Sequence, residues 1–246
     1  LDGWLIPFDQ PTVKTFVDSL PFPLTNAQRR VAWQILQDFE KSTPMNRLLQ
    51  GDVGSGKTVV AGLVARQAAQ SGLQTALLAP TEILASQHAK TLADLLEPQG
   101  VSVALLTGSV KPAARRSLLN ALANGDIDII IGTHALLQDS VNFHKLGLVI
   151  IDEQHRFGVK QRQTLMDKSS KMPHLLSMTA TPIPRSLALT LYGELDISIL
   201  DELPAGRQPI TTKLWSPAST PAMYELVDRE ISSGRQVYII CPLIDD

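Results

Sequence analysis

An α/β fold, a parallel sheet flanked by helices, is predicted by three observations. Short apolar runs alternate with amphipathic stretches along most of the chain, as strands buried on both faces alternate with their covering helices. The glycine-rich octapeptide GDVGSGKT at 51–58 lies between one such run and a stretch of strong helix formers. Two adjacent carboxylates, Asp152 and Glu153, close the apolar run LVII, where the C-terminal end of a buried strand is expected.

The elements follow in order. LTNAQRRVAWQILQDFEK at 24–41 predicts a helix, because Ala27, Val31, Ile35 and Phe39 recur along one face. Thr25 and Gln28 have the spacing of a capping box at its start. RLLQ at 47–50 suits a buried strand and TVVAGLVARQAAQ at 58–70 a helix, which gives the order strand, glycine loop, helix. Further strands are expected at QTALLA (74–79), VSVALL (101–106), DIIIG (128–132), LVIID (148–152) and LLSMT (175–179). EILASQHAKTLADLLE (82–97) and AARRSLLNALAN (113–124) supply helices between them, and the whole reads as a RecA-like sheet.

The texture changes after Leu200. DELPAGRQPI at 201–210 has the prolines and glycine of an interdomain connection. ITTKLW (210–215), a helix around 219–233 and VYIIC (237–241) are expected to begin a second sheet that is cut short. The expected division is an N-terminal extension or linker at 1–20, a nucleotide-binding lobe at 21–200, and a connection with the incomplete start of a second lobe at 201–246.

Composition narrows the function classes. Of 246 residues, 44% are hydrophobic and 19% charged, which is ordinary for a soluble globular protein. No apolar run approaches the roughly 20 residues of a membrane span. A net charge of −2 excludes a globally basic nucleic-acid binder but not a local basic groove. Lys111, Arg115 and Arg116, and again Arg156, Lys160 and Arg162, read as solvated helix faces. The single cysteine, Cys241, makes neither an internal disulfide nor a multi-thiolate site. Its apolar neighbours suggest a buried, inert thiol, and a reducing cytoplasm fits. The start at Leu1, with no signal sequence, suggests a fragment or processed chain. His88, His134, His144 and His174 lack metal-ligand spacing, so no zinc is expected.

Nucleotide chemistry is the strongest signal. In Gly51, Asp52, Val53, Gly54, Ser55, Gly56, Lys57 and Thr58, the glycines let backbone N–H groups turn inward onto phosphate oxygens. Lys57 is expected to reach the β and γ phosphates of ATP, and Thr58 to offer its hydroxyl to Mg²⁺ at the positive end of the following helix. Beside this loop, Asp152 is suited to the Mg²⁺ shell and Glu153 to orienting and deprotonating the attacking water. TATPIPR at 179–185 sets two hydroxyls beside a helix start marked by Pro182 and Pro184. Thr179 and Thr181 are either caps or a relay to Gln154 or His155. Gln28 is either a capping residue or an adenine contact; spacing permits both.

Taken together, GDVGSGKT, APTEILASQH (79–88), LLTGS (105–109), GTHALLQ (132–138), IDEQHRFGVKQR (151–162) and TATPIPR resemble motifs I, Ia, Ib, Ic, II and III of superfamily 2 helicases. DEQH, the RFG after it, and DELPAGRQPITT (201–212) resemble most the RecG family of ATP-dependent DNA helicases, which remodel forks and four-way junctions in recombination and repair. The transcription-repair coupling translocases are similar across the same motifs but have DEEH where this chain has Gln154. The resemblance implies that Gly54, Gly56, Lys57 and Thr58 hold the triphosphate and magnesium, and that Asp152 and Glu153 serve hydrolysis. It implies that Gln154, His155, Thr179 and Thr181 couple hydrolysis to DNA, and that Phe22, Leu24, Thr25 and Gln28 contact adenine. Pro80, Thr81, Thr107, Gly108, Gly132 and Thr133 would face the DNA backbone.

The family also carries a DNA-engaging wedge domain ahead of this region and an arginine finger in its second lobe. Neither is found in this chain, so weak hydrolysis is expected from the chain alone, which would work with the rest of a longer parent. A different class of function, a nucleotide switch that binds a protein partner without translocating, would be indifferent to DNA.

Overall fold

The computed structural model describes residues 3–181, 195–202 and 211–241, except the side chain of Pro217. Pro182 and Pro184, residues 203–210 of the expected connection, and residues 242–246 lie outside the described residues. The chain divides into two compact units, Leu1–Ala205 and Gly206–Asp246.

The first unit is built on seven parallel strands: β1 (Asn46–Gly51), β2 (Gln74–Leu78), β3 (Val103–Leu106), β4 (Ile129–Gly132), β5 (Leu146–Ile151), β6 (His174–Thr179) and β7 (Asp196–Leu200). Their order is β3-β4-β2-β5-β6-β1-β7. The helices are α1 (Gln10–Ser19), α2 (Asn26–Phe39), α3 (Lys57–Gln70), α4 (Glu82–Leu96), α5 (Pro112–Asn124) and α6 (Val159–Met166). Successive strand residues feed different cores. Leu49, Leu77, Ile129, Ile131, Leu148 and Ile150 pack with α2, α3 and α4, while Ala76, Leu78, Ile130, Val149 and Ile151 pack with Leu122 of α5 and Leu165 of α6. This two-sided burial is why the strands read as unbroken apolar runs.

The register brings the C-terminal strand ends level. Gln50 of β1 pairs with Thr179 of β6, Leu78 of β2 with Ile151 of β5 and with Gly132 of β4, and Leu106 of β3 with Gly132. The loops that follow β1, β2, β3, β4, β5 and β6 therefore open onto one edge, where ligands of parallel sheets bind.

Three elements were not foreseen. α1 is capped by Asp9, which accepts from the Thr12 amide at 2.9 Å, and it buries Phe16 in the main core. With Ile6, also fully buried, this makes the stretch expected as a linker or extension part of the first unit's core. The short α6 follows the DEQH segment. β7 pairs with β1 at the sheet edge, and its sequence DISIL leaves Asp196 and Ile199 exposed while burying Ser198 and Leu200. An edge strand of this kind lacks the continuous apolar run that marked its neighbours.

Residues 211–241 correct a second expectation. A helix spans Thr220–Ser232 as anticipated, but neither residues 211–215 of ITTKLW nor VYIIC form a strand; Ile210 lies outside the described residues. Tyr238, Ile239 and Ile240 are exposed, and so is Cys241, which is not the buried thiol its neighbours suggested. An apolar run becomes a strand only where another strand accepts its backbone hydrogen bonds, and none does so here among the described residues. No helix among the described residues is long and apolar enough to cross a membrane.

Candidate nucleotide site

Gly51 closes β1, and the chain turns through Gly54 (φ 79°) and Gly56 (φ 89°) into α3. Both angles lie in the left-handed region that side-chain-bearing residues avoid. At Gly56 the need is also steric, because a Cβ there would overlap the Gln28 side chain; at Gly51 a Cβ would stand 2.5 Å from Ser55 Oγ. Lys57 lies back across the loop, donating from Nζ to the carbonyls of Gly51 (2.7 Å) and Asp52 (3.0 Å). Burial lowers the Lys57 pKa, and the carboxylates of Asp152, Glu153 and Asp52 oppose that shift. The loop thus holds a partly desolvated ammonium and the first N–H groups of a helix, the donor set for a polyphosphate. Ser55 Oγ is buried in it without a hydrogen-bond partner.

A pocket of about 380 Å³ adjoins the loop, lined by Phe22, Gln28, Gly54, Gly56, Thr58 and Val59, with Thr91, Asp94 and Leu95 of α4 on the far side. Gln28 is almost wholly buried and serves two partners. Its Oε1 accepts from the Thr25 amide (2.9 Å), completing the capping box, while its Nε2 donates to the Ser55 carbonyl (2.8 Å). The two readings left open by the sequence are therefore not exclusive, since one amide caps α2 and lines the pocket. Leu24 is buried and Phe22 exposed.

Asp152 and Glu153 follow β5. Asp152 is buried, with Oδ2 2.7 Å from His88 Nε2 and Oδ1 accepting from the Glu153 amide at 3.0 Å. Glu153 holds φ 48°, ψ 57°, the one positive φ outside glycine among the described residues. Such a conformation costs about 1–3 kcal/mol and persists where the surroundings impose it, often at functional sites. Glu153 Oε2 lies 3.5 Å from His155 Nδ1. Gln154 is buried with Oε1 unpartnered. After β6, Thr179 and Thr181 share a hydroxyl hydrogen bond of 2.9 Å, and the Thr181 amide donates to Thr179 Oγ1 (3.1 Å). The bonds recorded for the two threonine side chains thus run between these threonines rather than to Gln154 or His155.

A second cleft of about 540 Å³ joins Pro80, Thr81, His134, Glu153, Arg156 and Thr181. The six residues expected at the DNA backbone are not equivalent. Thr81 is exposed and caps α4, its Oγ1 accepting from the Leu84 amide (3.2 Å). Gly108 is exposed, but its amide donates to Glu82 Oε1 (2.8 Å). Pro80 and Thr133 are half-buried. Thr107 is buried, with its hydroxyl 2.8 Å from that of Ser109. Gly132 is buried within the sheet, where a Cβ would overlap the Leu106 carbonyl and its own carbonyl accepts from the Ala79 amide. Its glycine is explained by packing. His88 and Glu82 escaped the sequence reading, although a histidine in the buried stripe Ala85, His88, Leu92, Leu96 was a usable signal.

Comparison with known proteins agrees with this geometry. The DEAD/DEAH box helicase family model matches residues 25–190. The chain is 56% identical over 234 residues to the ATP-dependent DNA helicase RecG of Synechocystis sp., covering 95% of this chain and 28% of that protein. It is 55% identical over 239 residues to the RecG of Bacillus subtilis, covering 97% and 35% respectively. The chain therefore spans about a third of such relatives. A solved structure of RecG bound to a three-way DNA junction superposes with a TM-score of 0.86 at 46% identity, over 99% of this chain and 32% of that one. The DUF1998 helicase MrfA bound to DNA gives 0.66 at 20% identity over 94% of this chain and 36% of that one, a likeness of fold alone. With a P-loop and a DEQH segment brought together in one unit, and the family model matching residues 25–190, this chain belongs to the DEAD/DEAH box helicase family.

Proposed function

We propose that the chain is the ATP-binding motor lobe of a RecG-type DNA helicase, which couples ATP hydrolysis to remodelling of branched DNA. The observation that carries the reading is the position of Glu153. Its carboxylate acts electrostatically on Lys57 of the phosphate loop, while the residue also lines the outer cleft with Pro80, Thr81 and Thr181. A residue at that junction is suited to link nucleotide state to a bound strand.

The residues fit ATP with Mg²⁺. Gly51 and Gly56 leave the loop without the side chains that would fill it, and Lys57 is a partly buried cation whose Nζ rests on backbone carbonyls. In this reading Lys57 leaves those carbonyls for the β and γ phosphates, Gly54, Ser55 and Gly56 contribute N–H groups, and Phe22 and Gln28 receive adenine. Thr58 and Asp152 would hold Mg²⁺, which when bound neutralises charge developing on the phosphates. Glu153 orients the attacking water and takes its proton. Gln154, His155, Thr179 and Thr181 relay the change to the outer cleft, which Thr81 lines, and Thr81, Gly108 and Thr133 are the residues that would face phosphates. Thr107 and Gly132 act by shaping the loops.

The test is ATP turnover and fork unwinding by the protein at its full natural length, for wild type and Glu153→Gln. Turnover stimulated by forked DNA, and lost in the variant with nucleotide affinity retained, is the expected result. Unwinding that survives loss of Glu153 would overturn the mechanism. Tight ATP binding with complete indifference to DNA would instead identify a protein-binding switch.

A further inference from the structure

α4 runs from the outer cleft to the carboxylate behind the phosphate loop. At its N-terminal end Thr81 caps the helix and Glu82 accepts a hydrogen bond from the Gly108 amide. Two turns on, His88 projects from the buried stripe of α4, and its Nε2 meets Asp152 Oδ2 at 2.7 Å. Both groups are buried, His88 at 9% exposure and Asp152 at 7%. An ionised carboxylate only accepts, so His88 Nε2 carries the proton in this pair. The other Asp152 oxygen accepts from the Glu153 amide, so both oxygens are fixed, one by the local chain and one by a helix 64 residues away.

The carboxylate plane is therefore set by two partners together, the Glu153 amide on Oδ1 and His88 Nε2 on Oδ2. A carboxylate that serves a cation through one or two oxygens depends on such partners, whose loss typically lowers metal affinity about 10–100-fold. We propose that His88, carried on α4, is a positioning residue that orients Asp152 for Mg²⁺. The inference rests on the nucleotide-binding reading above.

The experiment measures binding of a fluorescent ATP analogue to the protein as Mg²⁺ is titrated, and again in EDTA, for wild type, His88→Met and His88→Gln. Methionine keeps the bulk and loses the donor; glutamine keeps a donor. His88→Met is expected to raise the Mg²⁺ concentration for half-maximal enhancement about 10–100-fold with affinity in EDTA unchanged, while His88→Gln stays within a few-fold of wild type. Unchanged Mg²⁺ dependence in His88→Met overturns the inference, and so does a parallel loss of affinity in EDTA, which marks a general packing defect. A wild-type protein that binds the analogue equally with and without Mg²⁺ overturns the underlying nucleotide reading instead.

Discussion

The Gln28 side chain and the Ser55 carbonyl are joined by a 2.8 Å hydrogen bond across 27 residues of sequence, tying the start of α2 to the phosphate loop. The same amide closes the capping box through Thr25. Replacing Gln28 with Glu preserves the acceptor for the Thr25 amide but sets a carboxylate oxygen against the Ser55 carbonyl. Replacing it with Ala removes both bonds, each worth about 0.5–1.5 kcal/mol. Nucleotide affinity is expected to fall in both variants, and denaturant titration is expected to place both below wild type in stability. Unchanged affinity in both would remove Gln28 from the pocket's function.

Lys57 separates binding from folding. Its ammonium is partly desolvated and bonded to backbone carbonyls at the site surface, so Lys57→Met should leave the melting temperature without nucleotide unlowered. Ligand at about 100 times Kd stabilises the native state by about 2.7 kcal/mol, roughly 5–10 °C for a chain of this size. That increment is expected to vanish in the variant. Thermal melts with and without ATP and Mg²⁺ read both effects, and a retained increment would refute the role of Lys57.

A buried charge network pins β7 to β1 and α2. Arg47 Nη2 lies 2.6 Å from Asp38 Oδ2 and 3.4 Å from Asp196, while its Nη1 donates to Ser198 Oγ (2.8 Å), which donates on to Gln34 Oε1 (2.6 Å). Removing Arg47 takes one ion pair from Asp38, itself buried, and leaves the exposed Lys41, 2.6 Å from Asp38 Oδ1, to offset the charge; the cost is expected to exceed about 1 kcal/mol but to stay below the roughly 3–5 kcal/mol of a wholly uncompensated buried carboxylate. Asp196 is 66% exposed, so Asp196→Asn should cost less than about 1 kcal/mol. Urea unfolding of Arg47→Ala and Asp196→Asn measures the contrast, and equal effects would contradict it.

His174 gives the first unit a pH dependence. Burial lowers its pKa from the ordinary 6.5, against the opposing effects of the Trp4 carbonyl and Asp38. Its Nε2 donates to the Trp4 carbonyl (2.7 Å) and its Nδ1 accepts from the Met45 amide (3.0 Å), so protonation at Nδ1 would set donor against donor. The folded state binds this proton less readily than the unfolded chain. Its contribution is therefore full above pH 6.5 and is lost as pH falls through the folded pKa. Melting temperatures between pH 5 and 8 should decline toward acid, and less steeply in His174→Gln. Parallel slopes would assign the decline to other groups.

Local chemistry made much of this legible in the sequence. The phosphate loop is read from glycines and a lysine whose roles are set within eight consecutive residues, and the central strands from apolar runs that two-sided burial requires. The capping box of α2 was legible for the same reason, as its partners stand three residues apart.

What the tertiary structure decided depends on distant partners. Edge strand β7 exists because β1 offers it a ladder, whereas VYIIC, more apolar, has none among the described residues. The resemblance implies Gly132 at the DNA backbone, and the fold adds a reason for its glycine that the sequence does not carry, the Leu106 carbonyl of the adjacent strand. The apolar stripe of α4 marks His88 as a buried polar group but does not name its partner; the bond to Asp152 arises only when α4 is laid against the end of β5. A sequence determines periodicity, turns and short motifs, because these are properties of neighbours along the chain. Pairing, burial of single polar groups and the orientation of a carboxylate are properties of neighbours in space, and only the fold supplies them.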